Sequence, residues 1–189
     1  MIPCLDAVKA LIALRKDQIV VPTMTPNRYW TKLSTNKDMD LPIFGGMGKA
    51  SSVALGLAMA QPGKQVICID GDGSLLMNLG SLVTIAGMKP KNLVHIVFDD
   101  RAYHTTGGQP VPGADVYNFK VMAEGAGYKN SYQFDNLEDW VSELPKILKQ
   151  QGPTFVSLQI HYPDGGPEFF MASTREPAKR MREVLTKGK

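Results

Sequence analysis

The sequence predicts an α/β protein, a three-layer α/β/α arrangement around a mainly parallel central sheet. Two observations lead there. Short β-branched runs such as Val66–Ile69 and Leu93–Phe98 alternate with stretches whose apolar residues recur at helical spacing. Both of those runs end in acids, and glycine corners stand close by, as expected where a parallel sheet presents its carboxyl edge to a ligand. A length of 189 residues suits one domain, and 43% hydrophobic with 21% charged residues is ordinary globular chemistry.

The elements follow in order. Leu5, Val8, Ala10, Leu11, Ile12 and Leu14 mark a helix over residues 5–16. Gln18 to Val21 reads as a short buried strand ended by Pro22, and Asn27 to Leu33 as helical. "IFGG" leads into "MGKASSVALGLAMA", a helix so poor in bulk that it can lie close to a sheet or a ligand. "KQVICID" is a strand, and Leu75, Leu79, Leu82, Val83 and Ala86 then share one helix face. "NLVHIVFDD" is the next strand, with His95 as a satisfied core histidine, and "RAYHTTGGQPVPGADVYN" is a long polar loop. Phe119 to Ala126 is helical. Leu137, Trp140, Val141, Leu144, Ile147 and Leu148 mark an amphipathic helix capped by Asp135 or Asn136. "TFVSLQI" is the last strand, and Ser173 with Glu176 forms a capping box for a terminal helix.

Bulk properties exclude some functions. A net charge of +3 gives no case for nucleic acid, and the basic run Lys179, Arg180, Arg182, Lys187 and Lys189 reads as a solvated helix face. Two cysteines, Cys4 and Cys68, make no disulfide framework, and Cys68 reads as an inert core thiol. No signal peptide and no membrane span is expected, so the reading is a cytoplasmic enzyme or enzyme subunit.

Three corners carry the chemistry: Gly45–Gly48, Gly71–Ser74 and Asp99–Tyr103. In Gly71-Asp72-Gly73-Ser74, a helix starting near Ser74 offers unpaired N–H groups to phosphate, and glycine lets a ligand approach the backbone. Asp72 adds a hard oxygen ligand for Mg²⁺ or Ca²⁺, and a carboxylate beside a diphosphate calls for a cation between them. Taken alone, this corner is also an ordinary turn with a helix cap. Asp100, 28 residues later at the end of the next strand, reaches the same sheet edge through a βαβ unit and can share that cation. Asp99 is an exposed turn acid or a support for the site. Met47 is core filler or part of a site.

The run "GDGS", helix, apolar strand and polar pair resembles the diphosphate-binding motif of thiamine diphosphate enzymes. The resemblance implies a PP-type domain over residues 1–189. It implies Mg²⁺ held by Asp72, Asp100 and the Ala102 carbonyl, with Tyr103 matching a frequent aromatic beyond. The family's pair is usually Asn-Asn; the Asp-Asp here adds negative charge to the site. "FGGMGKASSVALGLA" resembles the segment of the decarboxylase branch that wedges the cofactor into its bent shape. By that likeness Met47 is the wedge and Gly45 offers its carbonyl to the aminopyrimidine, with Gly46 and Gly48 flanking. Gly71, Asp72, Gly73, Ser74, Asp100, Ala102 and Tyr103 complete the cofactor set.

Within the family, "GDGSLLMNLGSL", "PKNLVHIVFDDRAYHTTGGQP" and "GGMGKASS" resemble the sulfopyruvate and phosphonopyruvate decarboxylases. A chain of this length is similar to the β subunit of a split enzyme. The resemblance implies conversion of 3-sulfopyruvate to sulfoacetaldehyde and CO₂. The alternatives are phosphonopyruvate decarboxylation, carboligation, or a non-catalytic cofactor-binding or regulatory subunit. The family's activating glutamate sits in a pyrimidine-binding domain that the resemblance does not find here. That domain and its Glu are expected on a separate α subunit, and this chain alone is expected to be inactive. For the substrate's acid group, Lys49, Arg101 and His104 are the local candidates, with Lys49 otherwise pointing to solvent. His104 shuttles a proton or holds substrate, or merely orders its loop. Thr105, Thr106, Gly107, Gly108 and Gln109 are placed to close over the site.

Overall fold

The structure is a computed structural model that describes residues 1–163, 165–170 and 172–187. In chain order it runs β1 (Ile2–Pro3), α1 (Cys4–Leu14), β2 (Ile19–Pro22), α2 (Met24–Leu33), α3 (Ala50–Ala60), β3 (Val66–Gly71), α4 (Asp72–Met77) and α5 (Ser81–Met88). Then come β4 (Leu93–Asp99), β5 (Ala102–Tyr103), β6 (Gln109–Pro110), α6 (Phe119–Ala126), β7 (Asn130–Phe134), α7 (Leu137–Lys149), β8 (Thr154–His161) and α8 (Arg175–Thr186).

All pairings in the central sheet are parallel. β2 pairs β3, β3 pairs β4, and β4 pairs β8. On its other side β8 takes β7 along its first half and β1 at its end, where Ile2 pairs Ile160. Every residue of β3 and β4 is buried, as a strand covered on both faces requires. Successive side chains alternate between two cores. Val66, Cys68 and Val97 pack in one core with residues of α3, α5, α6 and α8. Ile67, Ile69, Ile96 and Phe98 pack in the other with residues of α1, α2 and α7, including Trp30 and Trp140, both 0% exposed. The three-layer reading is therefore correct. Because the sheet is parallel, β2, β3, β4 and β8 all deliver their carboxyl ends to one edge.

Several local expectations need correction. Leu75 to Ala86 is two helices, broken between Met77 and Ser81, and Val83 is 63% exposed. The break is held by tertiary bonds: the Asn78 side-chain amide donates to the Gly48 carbonyl at 2.9 Å and to Ser52 Oγ at 3.2 Å. Pro22 belongs to β2, where its carbonyl accepts from the Ile43 N–H at 2.9 Å. The polar loop after β4 contains the small antiparallel pair β5–β6. The capping box does not form. Thr174 is the cap position of α8, and its hydroxyl instead donates to the Pro42 carbonyl and accepts from the Phe44 N–H, while Ser173 Oγ accepts from Arg175 N–H. Asn136, not Asp135, caps α7, accepting from the Asp139 N–H at 2.9 Å. Strand β7, "NSYQF", was not expected and is made by pairing with β8.

In the basic run, Lys179, Arg182 and Lys187 are exposed, Arg180 pairs Asp38, and Lys189 lies outside the described residues. Both cysteines are buried free thiols, pushed up in pKa by burial. His95 is fully buried, and neither ring nitrogen has a hydrogen-bond partner among the described residues, Asp70 Oδ2 standing 3.5 Å from Nε2. No helix among the described residues is long and apolar enough to cross a membrane.

Candidate active site

The three corners meet at the carboxyl edge, and two more segments join them. The stretch after residue 39 runs beside β2 through the bridges Val20 to Asp40 and Thr23 to Ile43, which carries "FGGMG" to the sheet edge. There Gly48 N–H donates to Ser74 Oγ at 2.9 Å, tying the second glycine corner to the first turn of α4. That helix begins at Asp72, two residues before the expected start. Gly45 and Gly48 have φ of +67° and +76°, where any other residue is strained. Two non-glycine residues with positive φ also stand at this edge, Met24 at +56° and Arg101 at +60°. Such backbone costs roughly 1–3 kcal/mol per residue and collects at functional sites.

Asp72, Asp100, Gly71, Gly73, Ser74, Ala102, Tyr103, His104 and Met47 line one cavity of about 90 Å³. Asp72 is 3% exposed, and its Oδ2 has no hydrogen-bond partner among the described residues. Burial, then the neighbouring Asp100 charge, push the Asp72 carboxyl up to about 8, against N–H donation from Gly73 and Arg101. Burial pushes Asp100 up to about 6, opposed by the His104 ring and the Ala102 N–H. A buried Asp72 that keeps its proton near neutrality beside an Asp100 carboxylate is poised to exchange that proton for a cation. Asp99 is buried, not an exposed turn acid: it accepts the Tyr117 hydroxyl at 2.7 Å.

His104 Nε2 lies 2.8 Å from the Gly165 carbonyl, which can only accept, so the proton is assigned to Nε2. Its Nδ1 then faces Asp100 Oδ2 at 3.8 Å, and its ring lies against Tyr162 at 4.3 Å between centroids. A second cavity, of about 250 Å³, shares Met24, Met47, Thr105 and Thr106 with the first and reaches Arg28, Gly45 and Phe44. Lys49 is exposed and lines neither cavity. Gln109 is exposed and bonded to Thr106, and Arg101 donates to the Ala114 carbonyl at 2.9 Å. Gly46 lies apart from the cavity linings, with its Cβ position against Ile43.

Met24, Thr25, Arg28 and Tyr162 line the cavities and were not expected. Their one sequence signal was position: each follows a strand, β2 or β8, whose end belongs to the same edge.

A model of the family described as thiamine pyrophosphate enzyme, C-terminal TPP binding domain, matches residues 19–158. The chain belongs to the thiamine pyrophosphate enzymes. It is 36% identical over 182 residues to phosphonopyruvate decarboxylase of Streptomyces viridochromogenes, covering 94% of this chain and 45% of that protein. It is 34% identical over 163 residues to the sulfopyruvate decarboxylase β subunit of Methanothermobacter thermautotrophicus, covering 85% of this chain and 83% of that one. The chain thus spans under half the length of the first relative and most of the second. A thiamin diphosphate-dependent enzyme fold from Mycobacterium smegmatis superposes with a TM-score of 0.71 at 20% identity, covering 86% of this chain and 32% of that one.

The residues present fit thiamine diphosphate of this family. A β-carbon at Gly73 would meet the Tyr103 ring at 2.4 Å, so bare backbone is needed beside the cavity, and the Asp72 Oδ2 there has no hydrogen-bond partner among the described residues. A cavity of about 90 Å³ is only part of a cofactor site, since pockets for whole ligands run to ~300–1,000 Å³.

Proposed function

We propose that this chain is the diphosphate-binding subunit of a Mg²⁺-dependent 2-oxoacid decarboxylase that converts 3-sulfopyruvate to sulfoacetaldehyde and CO₂. The observation that carries the reading is the buried Asp72–Asp100 pair facing one cavity beside Met47. Asp72, Asp100 and the Ala102 carbonyl would hold Mg²⁺. The Gly71–Ser74 corner would take the diphosphate, and Met47 with Gly45 would set the shape of the bound cofactor. When bound, thiamine diphosphate supplies the electron sink that lets a 2-oxo acid lose CO₂. The chain's own work is to bind, orient and handle protons. Decarboxylation replaces the carboxylate by one proton at the former keto carbon, and His104, whose ring lines the same cavity, is placed to deliver it. Near-complete coverage of a β subunit supports a separate α subunit that carries the pyrimidine-binding domain and its glutamate.

Phosphonopyruvate is the second reading, favoured by 36% identity to a decarboxylase of that acid over 94% of this chain. Co-expression with candidate α chains, followed by assays with sulfopyruvate, phosphonopyruvate and pyruvate, separates the two. Turnover that appears only in the complex, requires Mg²⁺ and is lost in Asp72→Ala is the expected result. Turnover by this chain alone would remove the two-subunit reading. A complex that binds cofactor yet turns over no 2-oxo acid would remove the decarboxylase.

A further inference from the structure

The second cavity holds a cation with no counter-ion among the described residues. Arg28 is 7% exposed, and among the described residues no carboxylate comes within ion-pair distance of its guanidinium. Asp164 lies outside those residues. Nη1 donates to the Pro167 carbonyl at 3.3 Å, Nη2 donates to Thr105 Oγ1 at 3.0 Å, and the Phe169 ring lies 4.6 Å from Cζ. A guanidinium has about five N–H donors, so these two bonds leave most of the fork unspent. Burial lowers the pKa of this group, opposed in part by Tyr162. A buried charge needs a partner, and none of the described acids is one.

The location gives the charge a use. Arg28 stands on α2, just past the end of β2, and lines the cavity with Met47, Thr105 and Thr106. Met47 and the two threonines also line the Asp72–Asp100 cavity. The two cavities therefore adjoin, with the acids proposed to hold the metal in one and the Arg28 cation in the other. A substrate reacting at their junction would lay any remote anionic group toward Arg28. The planar fork of arginine suits oxyanions of phosphonate or sulfonate type, and apolar Phe44 and Phe170 on the same wall keep water away.

We propose that Arg28, assisted by the Thr105 hydroxyl, anchors the tetrahedral acid group on the third carbon of the substrate. The assignment rests on the decarboxylase reading above. It differs from the candidates read from sequence: Lys49 lies outside both cavities, and Arg101 is spent on Ala114 and the Tyr117 ring.

The test is calorimetric titration of the cofactor-loaded complex with sulfoacetate and with phosphonoacetate, neither of which can react. Wild type is compared with Arg28→Gln and Arg28→Lys, and thiamine diphosphate affinity and melting temperature are read in parallel. Loss of a buried charge partner predicts anion binding weaker by about 30-fold in Arg28→Gln. Arg28→Lys should fall between, and cofactor affinity should stay near wild type. The stronger of the two anions identifies the acid group. The proposal is overturned if wild type binds neither anion, if Arg28→Gln binds them as well as wild type, or if cofactor affinity falls in parallel. An Arg28-dependent anion affinity in a complex without turnover keeps this oxyanion site and removes only the decarboxylase reading.

Discussion

Gly73 lies so close to Tyr103 that a β-carbon on the glycine would stand 2.4 Å from ring Cε1 and 2.8 Å from Cδ1. The ring lines the same cavity and must shift if a β-carbon is added at Gly73. Gly73→Ala is therefore expected to fold but to lose thiamine diphosphate, with calorimetric affinity down by about tenfold or more. Circular dichroism should show native secondary structure. Wild-type affinity in this variant would mean that the ring moves freely.

Asp72 gives a pH prediction. Its carboxyl sits at about 8 in the folded chain against 3.8 ordinarily, burial being the larger cause and Asp100 the next. The folded chain therefore holds this proton more tightly than the unfolded one. The contribution is complete below about pH 4 and is lost as the pH rises through about 8. The metal-free chain should melt at progressively lower temperature between those values. Asp72→Asn, which cannot ionise, should flatten that slope and exceed wild type at pH 8. Mg²⁺ with thiamine diphosphate should rescue wild type and not the variant.

Tyr117 donates to buried Asp99 at 2.7 Å, next to the proposed ligand Asp100. Tyr117→Phe leaves that carboxylate without its hydroxyl donor, at a cost of about 1–3 kcal/mol. In a chain of this size each kcal/mol lowers Tm by roughly 2–4 °C. Thermal melting tests this, and an unchanged Tm means that water takes over the bond.

Asp40 should matter more. Arg15 meets it at 2.7 Å with side chains 2% and 6% exposed, and the Ser34 hydroxyl donates to its other oxygen at 2.5 Å. Asp40 is also bridged to Val20 of β2, at the root of the segment that ends in Met47. Asp40→Ala strands a buried guanidinium, with an expected loss of about 3–5 kcal/mol. Urea unfolding measures it, and Arg15→Met combined with Asp40→Leu should recover much of the loss.

The parts of this molecule that sequence announced were those with chemistry unsuited to their element. Asp and Gly at a strand end and "GGMG" before a helix had no ordinary structural use, so they pointed to a ligand. The family likeness then assigned roles that the geometry is consistent with at Asp72, Asp100 and Met47. Arg28 was hidden because an arginine in "TPNRYW" is ordinary on a helix, and only tertiary packing removes its solvent and its partners. The break at Asn78 was hidden for a related reason, since the bonds that hold it reach back to Gly48 and Ser52. Strand β7 owes its form to a neighbour 24 residues further along, Asn130 pairing with Thr154, and the alternation of Tyr132 and Phe134 with Ser131 and Gln133 is too short to announce it.

Ile2 of β1 finds its partner at Ile160 of β8, nearly the whole chain away. Closing so long a loop is entropically late. During synthesis the first strand leaves the ribosome with nothing to pair with until β8 has been made, a delay of roughly 8–30 s at ~5–20 residues per second. Through that interval Ile2 lacks its strand partner, and Cys4 and Val8 of α1, like Ile2 0% exposed in the finished fold, lack the β8 residues of their core. The β1 segment is thus a place where a stalled nascent chain offers a chaperone a handhold.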